Sequence, residues 1–182
     1  MRQELYRDEE IVNGCIRNDR HLQEVLYRRH ARKMYGICLG YAGSSRDLAQ
    51  DMLQDAFVKV FRNMDQYDGK GSLEGWIRRI VTNTSIDILR KQSRHIEFIQ
   101  GEVPIKQEAS GEDALSQIAT KDILNTIARL PKGARIIFNL HALEGYSHQE
   151  IAEQLEISPG TSKSQYSRAR HLLQQWLQPS DS

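Results

Sequence analysis

The chain has 182 residues, 39% of them hydrophobic and 27% charged, with 25 Lys and Arg against 24 Asp and Glu for a net charge of +1. That length fits one ordinary domain or two small ones. Near-neutrality excludes a protein that holds nucleic acid by bulk positive charge, so any such surface must come from local segregation of charge. No stretch approaches the ~18 apolar residues that cross a bilayer, and the opening MRQELYRDEEIVNG contains no apolar signal region. A cytoplasmic protein with no direct membrane insertion is expected.

No run alternates with period two, and no Asn-Gly or Asp-Gly turn joins β-branched runs, whereas apolar residues recur at three and four. The fold class is therefore all-α. Cys15 and Cys38 have no CxxC spacing and no His at ligand spacing, which predicts buried free thiols rather than a disulfide or a zinc site. Arg28, Arg29, Arg32 and Lys33 form an early basic cluster that fits a solvated helix face as well as a nucleic-acid contact.

The first clear helix follows Ser44-Ser45-Arg46-Asp47, with capping-box spacing from Ser44 to Asp47. Its apolar stripe is Leu48, Met52, Leu53, Ala56, Phe57, Val60 and Phe61, and the opposite face carries Asp51, Gln54, Asp55, Lys59 and Arg62. A turn-rich segment, Tyr67 to Ser72, separates it from a second helix whose stripe is Trp76, Ile77, Ile80, Val81, Thr84, Ile88 and Leu89. Arg78, Arg79, Thr82 and Asn83 are assigned to its polar edge. With Arg90, Lys91 and Arg94 nearby, this region combines aromatics, an amide and cations, the set that holds unstacked bases and a phosphate backbone. The same residues also suit a core tryptophan, a loop tyrosine and a solvated helix end.

Between about Ile99 and Glu112 the periodicity dissolves, and residues 101–113 carry one lysine against four acids. An acidic flexible linker between two small helical domains is expected. Beyond it, Leu115, Ile118, Ile123, Ile127 and Leu130 mark a helix ending before Pro131, and Ile136, Ile137, Leu140 and Leu143 mark another ending at Gly145.

Ser147 to Glu150 has capping-box spacing and opens a short helix to Leu155. Glu156-Ile157-Ser158 then turns the chain, and Ser158-Pro159 supplies an N-cap followed by proline at the first helical position. The next helix reaches about Trp176. Ile151, Leu155, Ile157, Tyr166, Ala169 and Leu172 can form a shared core, with Ala152 at the close approach. This is helix-turn-helix patterning. The second helix is expected to expose Thr161, Ser162, Lys163, Ser164, Gln165 and Arg168, groups suited to base edges and phosphates. Spacing and caps alone favour DNA binding over an ordinary helical hairpin with a solvated polar face, which stays open. Six histidines, His141 and His148 among them, show no metal-ligand or nucleophile-base spacing.

Taken in order, DLAQDMLQDAFVKVF (47–61), GWIRRIVTNTSIDILRKQSR (75–94) and LPKGARIIFNLHALEGYSHQEIAEQLEISPGTSKSQYSRARHLLQQWL (130–177) closely resemble the extracytoplasmic-function group of bacterial sigma factors, the promoter-specificity subunits of RNA polymerase. The resemblance covers nearly the whole chain. It implies sigma region two over residues 1–95, a linker over 96–112 that passes through the polymerase, and sigma region four over 113–178. It assigns Asp51, Gln54 and Asp55 to the β′ clamp helices of core RNA polymerase. Tyr67, Trp76, Arg78, Arg79, Asn83, Arg90 and Lys91 fall to capture and melting of the −10 element. Pro159, Thr161, Lys163, Ser164, Gln165 and Arg168 fall to duplex recognition at −35.

The implied partners are core RNA polymerase, through its β′ clamp helices and β flap, promoter DNA, and an anti-sigma factor that can hold the protein at the inner membrane. No catalytic residue, small-molecule substrate, metal or cofactor is implied. Two positions depart from the family pattern: Glu156 stands where Gly is frequent in the turn, and Ser162 where Val is common. The rival reading is a free-standing helix-turn-helix regulator with an N-terminal sensing or dimerisation bundle, which predicts palindromic sites and a dimer.

Overall fold

The computed structural model describes residues 6–43, 45–92, 123 and 125–177. The expected linker and Arg94, together with Leu115 and Ile118, lie outside these residues. The described residues contain helices and turns and no strand, and the chain divides into two compact units, residues 1–91 and 92–182.

The first unit consists of α1 (Asp8–Ile16), α2 (Arg20–Ala42), α3 (Arg46–Arg62), a single 3₁₀ turn (Met64–Gln66) and α4 (Leu73–Gln92). Side-chain oxygens set the helix starts. The Asp19 carboxylate accepts from His21 N at 2.9 Å and Leu22 N at 3.3 Å, and Ser72 Oγ accepts from Gly75 N at 3.0 Å. The cap of α3 is Ser45, whose Oγ accepts from Leu48 N at 3.2 Å, one residue later than the Ser44 box expected from spacing. The expectation fails because an N-cap must take extended backbone angles directly before the first helical residue, and Ser45 does so at φ −83°, ψ 103°.

Ile11, Leu26, Met34, Tyr41, Met52, Ala56, Phe57, Val60, Ile77, Val81 and Leu89 form the buried interior of this unit. Gly14 lets α1 approach α2, since a Cβ there would lie 2.1 Å from Leu22 Cδ1. Ion pairs tie the helices at the rim: Arg29 with Asp8 at 2.9 Å, Lys59 with Asp87 at 3.3 Å, and Lys33 with Glu74. Both thiols are free and buried, as composition predicts, and burial pushes each up to about 11. Thr82, assigned from the sequence to the polar edge of α4, is instead fully buried beside Val81. Its methyl makes it acceptable to an apolar neighbourhood, and α4 is covered on more than one side, so a single stripe does not describe it.

In the second unit, residues 125–128 complete a helical turn, followed by α5 (Lys132–Phe138), a π-helical turn (Asn139–Leu143), α6 (His148–Leu155) and α7 (Pro159–Leu177). Arg135 Nη1 donates to the Ala128 and Leu130 carbonyls at 3.1 and 3.0 Å, closing the end of the preceding turn. Ile127, Leu130, Ala134, Ala169 and Leu173 cluster with Phe138, Leu172 and Trp176, and Arg129 lies 4.7 Å over the Trp176 ring.

Two expected core positions are exposed here, Ile123 and Leu143. For Leu143 the cause is the π turn, in which Glu144 N donates to Asn139 O at 3.0 Å. The wider turn advances the chain by an extra residue and rotates Leu143 off the Ile136–Leu140 face. Ile123 is about half exposed among the described residues.

Candidate nucleic-acid interface

On α3 the exposed positions Asp51, Gln54, Asp55, Val58 and Arg62 follow three- and four-residue spacing, so they share one side of the helix. The face therefore has an exposed valine set among acids, an amide and an arginine. In the sequence Val58 reads as one more apolar residue. Its signal was available, since it lies three and four residues from Asp55 and Gln54 and off the Ala56–Val60 stripe. An apolar centre within a polar rim is how protein-docking surfaces are built.

The α3–α4 connection forms a compact loop. The Tyr67 hydroxyl donates to the Gly71 carbonyl at 2.9 Å, Lys70 N donates to Asp68 Oδ1 at 2.9 Å, and Gly69 and Gly71 take φ +74° and +84°. This arrangement lays the Tyr67 ring against Trp76, centroids 5.7 Å apart at 57°. Both rings are half-buried. Trp76, Asn83 and Arg90 are spaced by seven residues, and Arg79 lies between the first two, so the four run down one side of α4 with about 10 Å per step of seven. Asp87 on the same side is taken up by Lys59. Lys91 is exposed at the C-terminal end of this stripe.

Arg78 does not join them. It lies one turn beyond Glu74 on another side of α4, and its charge acts on that carboxylate. The Lys33 ammonium bonded to Glu74 is the main cause holding this carboxyl below its ordinary value. The early basic cluster is similarly occupied: Arg28 pairs with Glu24, Arg29 with Asp8 and Lys33 with Glu74.

In the second unit the capping box is complete. Ser147 Oγ accepts from Glu150 N at 3.2 Å, and a Glu150 carboxylate oxygen accepts from Ser147 N at 2.8 Å. Glu156 turns the chain in the left-handed region at φ 57°, ψ 43°, so the turn keeps the geometry that glycine favours despite carrying a side chain. Ser158 Oγ then accepts from Thr161 N at 3.0 Å and contacts Thr161 Oγ1 at 2.9 Å. Along α7, Pro159, Lys163 and Ser164 are exposed, and Thr161 and Arg168 are half-exposed.

Ser162 and Gln165 depart from the expected outward set, because both are buried. They fall on the inward line with Ala169 and Leu173, three and four residues apart, which faces α6 and the cluster below it. Ser162 meets His148, Nδ1 to Oγ 2.9 Å. The His148 ring stacks on His141 with centroids 4.2 Å apart, and Tyr166 meets both edges, at 4.6 Å from His141 and 5.7 Å from His148. No sequence spacing revealed this trio, since a π turn and a loop separate its histidines. Among the described residues no cluster of His, Cys, Asp and Glu could hold a metal, and no helix is long and apolar enough to cross a membrane.

Comparison with known proteins gives two family matches: the Sigma-70 region 2 model over residues 26–95 and the Sigma-70 region 4 model over 120–173. The chain is 27% identical to the RNA polymerase sigma-H factor of Pseudomonas aeruginosa, covering 95% of each. It is also 27% identical to the ECF RNA polymerase sigma-E factor of Escherichia coli, covering 94% of this chain and 95% of the relative. Among solved structures, the sigma factor RpoE of Bartonella quintana in complex with the anti-sigma factor NepR shares the fold. The TM-score is 0.52 at 22% identity, covering 87% of this chain and 98% of that one. CnrH in complex with the cytosolic domain of CnrY does so at 0.51 and 21%, covering 96% and 99%.

Proposed function

The chain belongs to the extracytoplasmic-function group of the sigma-70 family of RNA polymerase sigma factors, and from that premise we propose that it divides promoter reading between its two units. The two sigma models fall in family order on those two units, and that observation carries the reading. The unit within residues 1–95 traps the −10 element as single strand, and the one within 113–178 reads the −35 element as duplex, joined by 96–112. Catalysis of RNA synthesis stays with the polymerase.

Each role follows from what the side chains offer. Asp51, Gln54 and Asp55 dock core RNA polymerase at its β′ clamp helices, with Val58 as the apolar centre of the contact. Unstacking a base costs a few kcal/mol, which Trp76 and Tyr67 offset by stacking and Asn83 by hydrogen bonding, while Arg79, Arg90 and Lys91 follow the backbone. Arg78 is assigned to bracing Glu74 rather than to the strand. At −35, Lys163 and Arg168 meet phosphates and base edges, with Pro159, Thr161 and Ser164 beside them. Gln165 supports these from the inner side of α7. The β flap is the partner of the second unit on core polymerase.

A net charge of +1 fits a subunit that takes most of its DNA affinity from the polymerase. An anti-sigma factor is the partner that keeps it inactive, as NepR accompanies the Bartonella quintana relative, and the site of action is the cytoplasm. Run-off transcription with core polymerase tests the whole reading. The protein is expected to produce transcripts that core enzyme alone does not, and the triple change Asp51→Lys, Gln54→Lys, Asp55→Lys is expected to abolish both these transcripts and co-elution with core. A triple variant that still co-elutes and initiates overturns the docking assignment. Tight, specific promoter binding by the sigma alone at physiological salt, with no gain on adding core, overturns the function.

A further inference from the structure

The stacked histidines sit directly behind the residues assigned to the −35 duplex. Ser162, which is fully buried, lies between Thr161 and Lys163, and its hydroxyl is held by His148 Nδ1 at 2.9 Å. His148 is the first residue of α6 and is fixed in turn by its stack on His141 at 4.2 Å. His141 comes from the π turn, where its Nδ1–H donates to the Tyr146 carbonyl at 2.7 Å. Beside the apolar packing further along α7, its first turns are thus joined to the start of α6 through one imidazole whose outer face is a second imidazole.

We infer that His148 is a positioning residue for −35 recognition, and that the His141–His148 stack holds α7 in its reading pose only while no more than one of the two rings is an imidazolium. The inference rests on the reading of α7 given above. Its physical basis is the close parallel stack: one imidazolium over a neutral ring is tolerated, whereas two cations at this separation repel. The groups facing His148 supply no relief. From the π turn it meets His141, and from α7 it meets Lys163, Tyr166 and Ser162. Desolvation, His141 and Lys163, in that order, all hold the His148 imidazole below its ordinary value of 6.5. Acidification through that range therefore drives the pair apart and releases Ser162, shifting Thr161 and Lys163 with it.

The test is transcription by the full-length protein with core polymerase on two templates, one with its −35 element intact and one with it scrambled, from about pH 7.5 to about pH 5.5, the range in which ordinary imidazoles titrate. The ratio between templates cancels the pH response of the polymerase itself. For the natural chain the ratio is expected to fall severalfold across this range. In His148→Gln, which keeps a polar partner for Ser162 without titrating, and in His141→Gln, the ratio is expected to stay level across the range. His148→Lys is expected to show the low ratio already at the upper pH.

Proton NMR of the histidine ring carbons in the full chain gives an independent readout, with His148 expected to titrate at higher pH in His141→Gln. Variants whose ratio falls in parallel with the natural chain, or a His148 titration indifferent to His141, overturn the inference while leaving −35 reading intact. A ratio of one between the templates at every pH overturns the reading of α7 itself, and the inference with it.

Discussion

At the scale of single residues, Thr82 and Glu156 are at odds with their surroundings, and each gives a stability prediction. Thr82 is fully buried and its Oγ1 has no hydrogen-bond partner among the described residues. Thr82→Val keeps the shape and removes the stranded hydroxyl, so it is expected to raise stability by ~1 kcal/mol in urea unfolding. Loss of stability would show that the hydroxyl is satisfied. Glu156 occupies the left-handed region at φ 57°, where a Cβ crowds the following carbonyl. Glu156→Gly is expected to add ~1 kcal/mol to the second unit, read as a higher thermal midpoint with promoter use unchanged.

At the scale of elements, the junction of α1, α2 and α4 carries a pH dependence. His30 is buried on α2, and its imidazole is lowered first by desolvation, against which the Glu74 and Asp8 carboxylates pull upward and Arg29 and Lys33 push down. A base whose folded pKa lies below its unfolded one of 6.5 contributes stability that is complete above 6.5 and declines as pH falls through and below that value, because the unfolded chain then binds the proton more readily. Thermal melts are expected to show this decline in the first unit, and His30→Leu to flatten it. The α6 cap offers the contrasting case. Ser147→Ala leaves early amides of a two-turn helix unsatisfied and is expected to cost ~1 kcal/mol, detectable as faster amide exchange across His148–Leu155.

At the scale of the whole molecule, the proposed function requires both units to serve one polymerase, and their contributions separate by measurement. Asn83→Ala is expected to leave core binding and −35 dependence in place while reducing open-complex formation, followed by permanganate reactivity of unpaired thymines. Lys163→Ala is expected to do the reverse. It should weaken occupancy and lower the salt slope of promoter binding by about one, the signature of a lost phosphate contact. If Asn83→Ala and Lys163→Ala gave the same defect, the division of promoter reading between units would not hold.

Much of this architecture is legible in the sequence because it is written in local terms. Three- and four-residue recurrence marks α3 to α7, Ser147 and Glu150 announce their box, and Ser158-Pro159 announces α7. The order of these segments carries the family resemblance that the two sigma models then match. The exposed acids of α3 follow from the same periodicity.

Other features depend on what each helix meets. Periodicity marks one apolar stripe per helix, but Thr82, Ser162 and Gln165 are drawn inward because a second neighbour covers a flank that their chemistry alone would leave in water. A π turn shifts the phase after Phe138 and puts Leu143 outside, with no local residue type to announce it. The pairings of Lys33 with Glu74 and of His141 with His148 form between groups that separate elements bring together. The sequence by itself determined the helices, their caps and their order, since those are set by contacts within a few residues. Tertiary structure alone decided which polar groups lie in the interior and which charges and rings pair, because those depend on surfaces brought together across long stretches of chain.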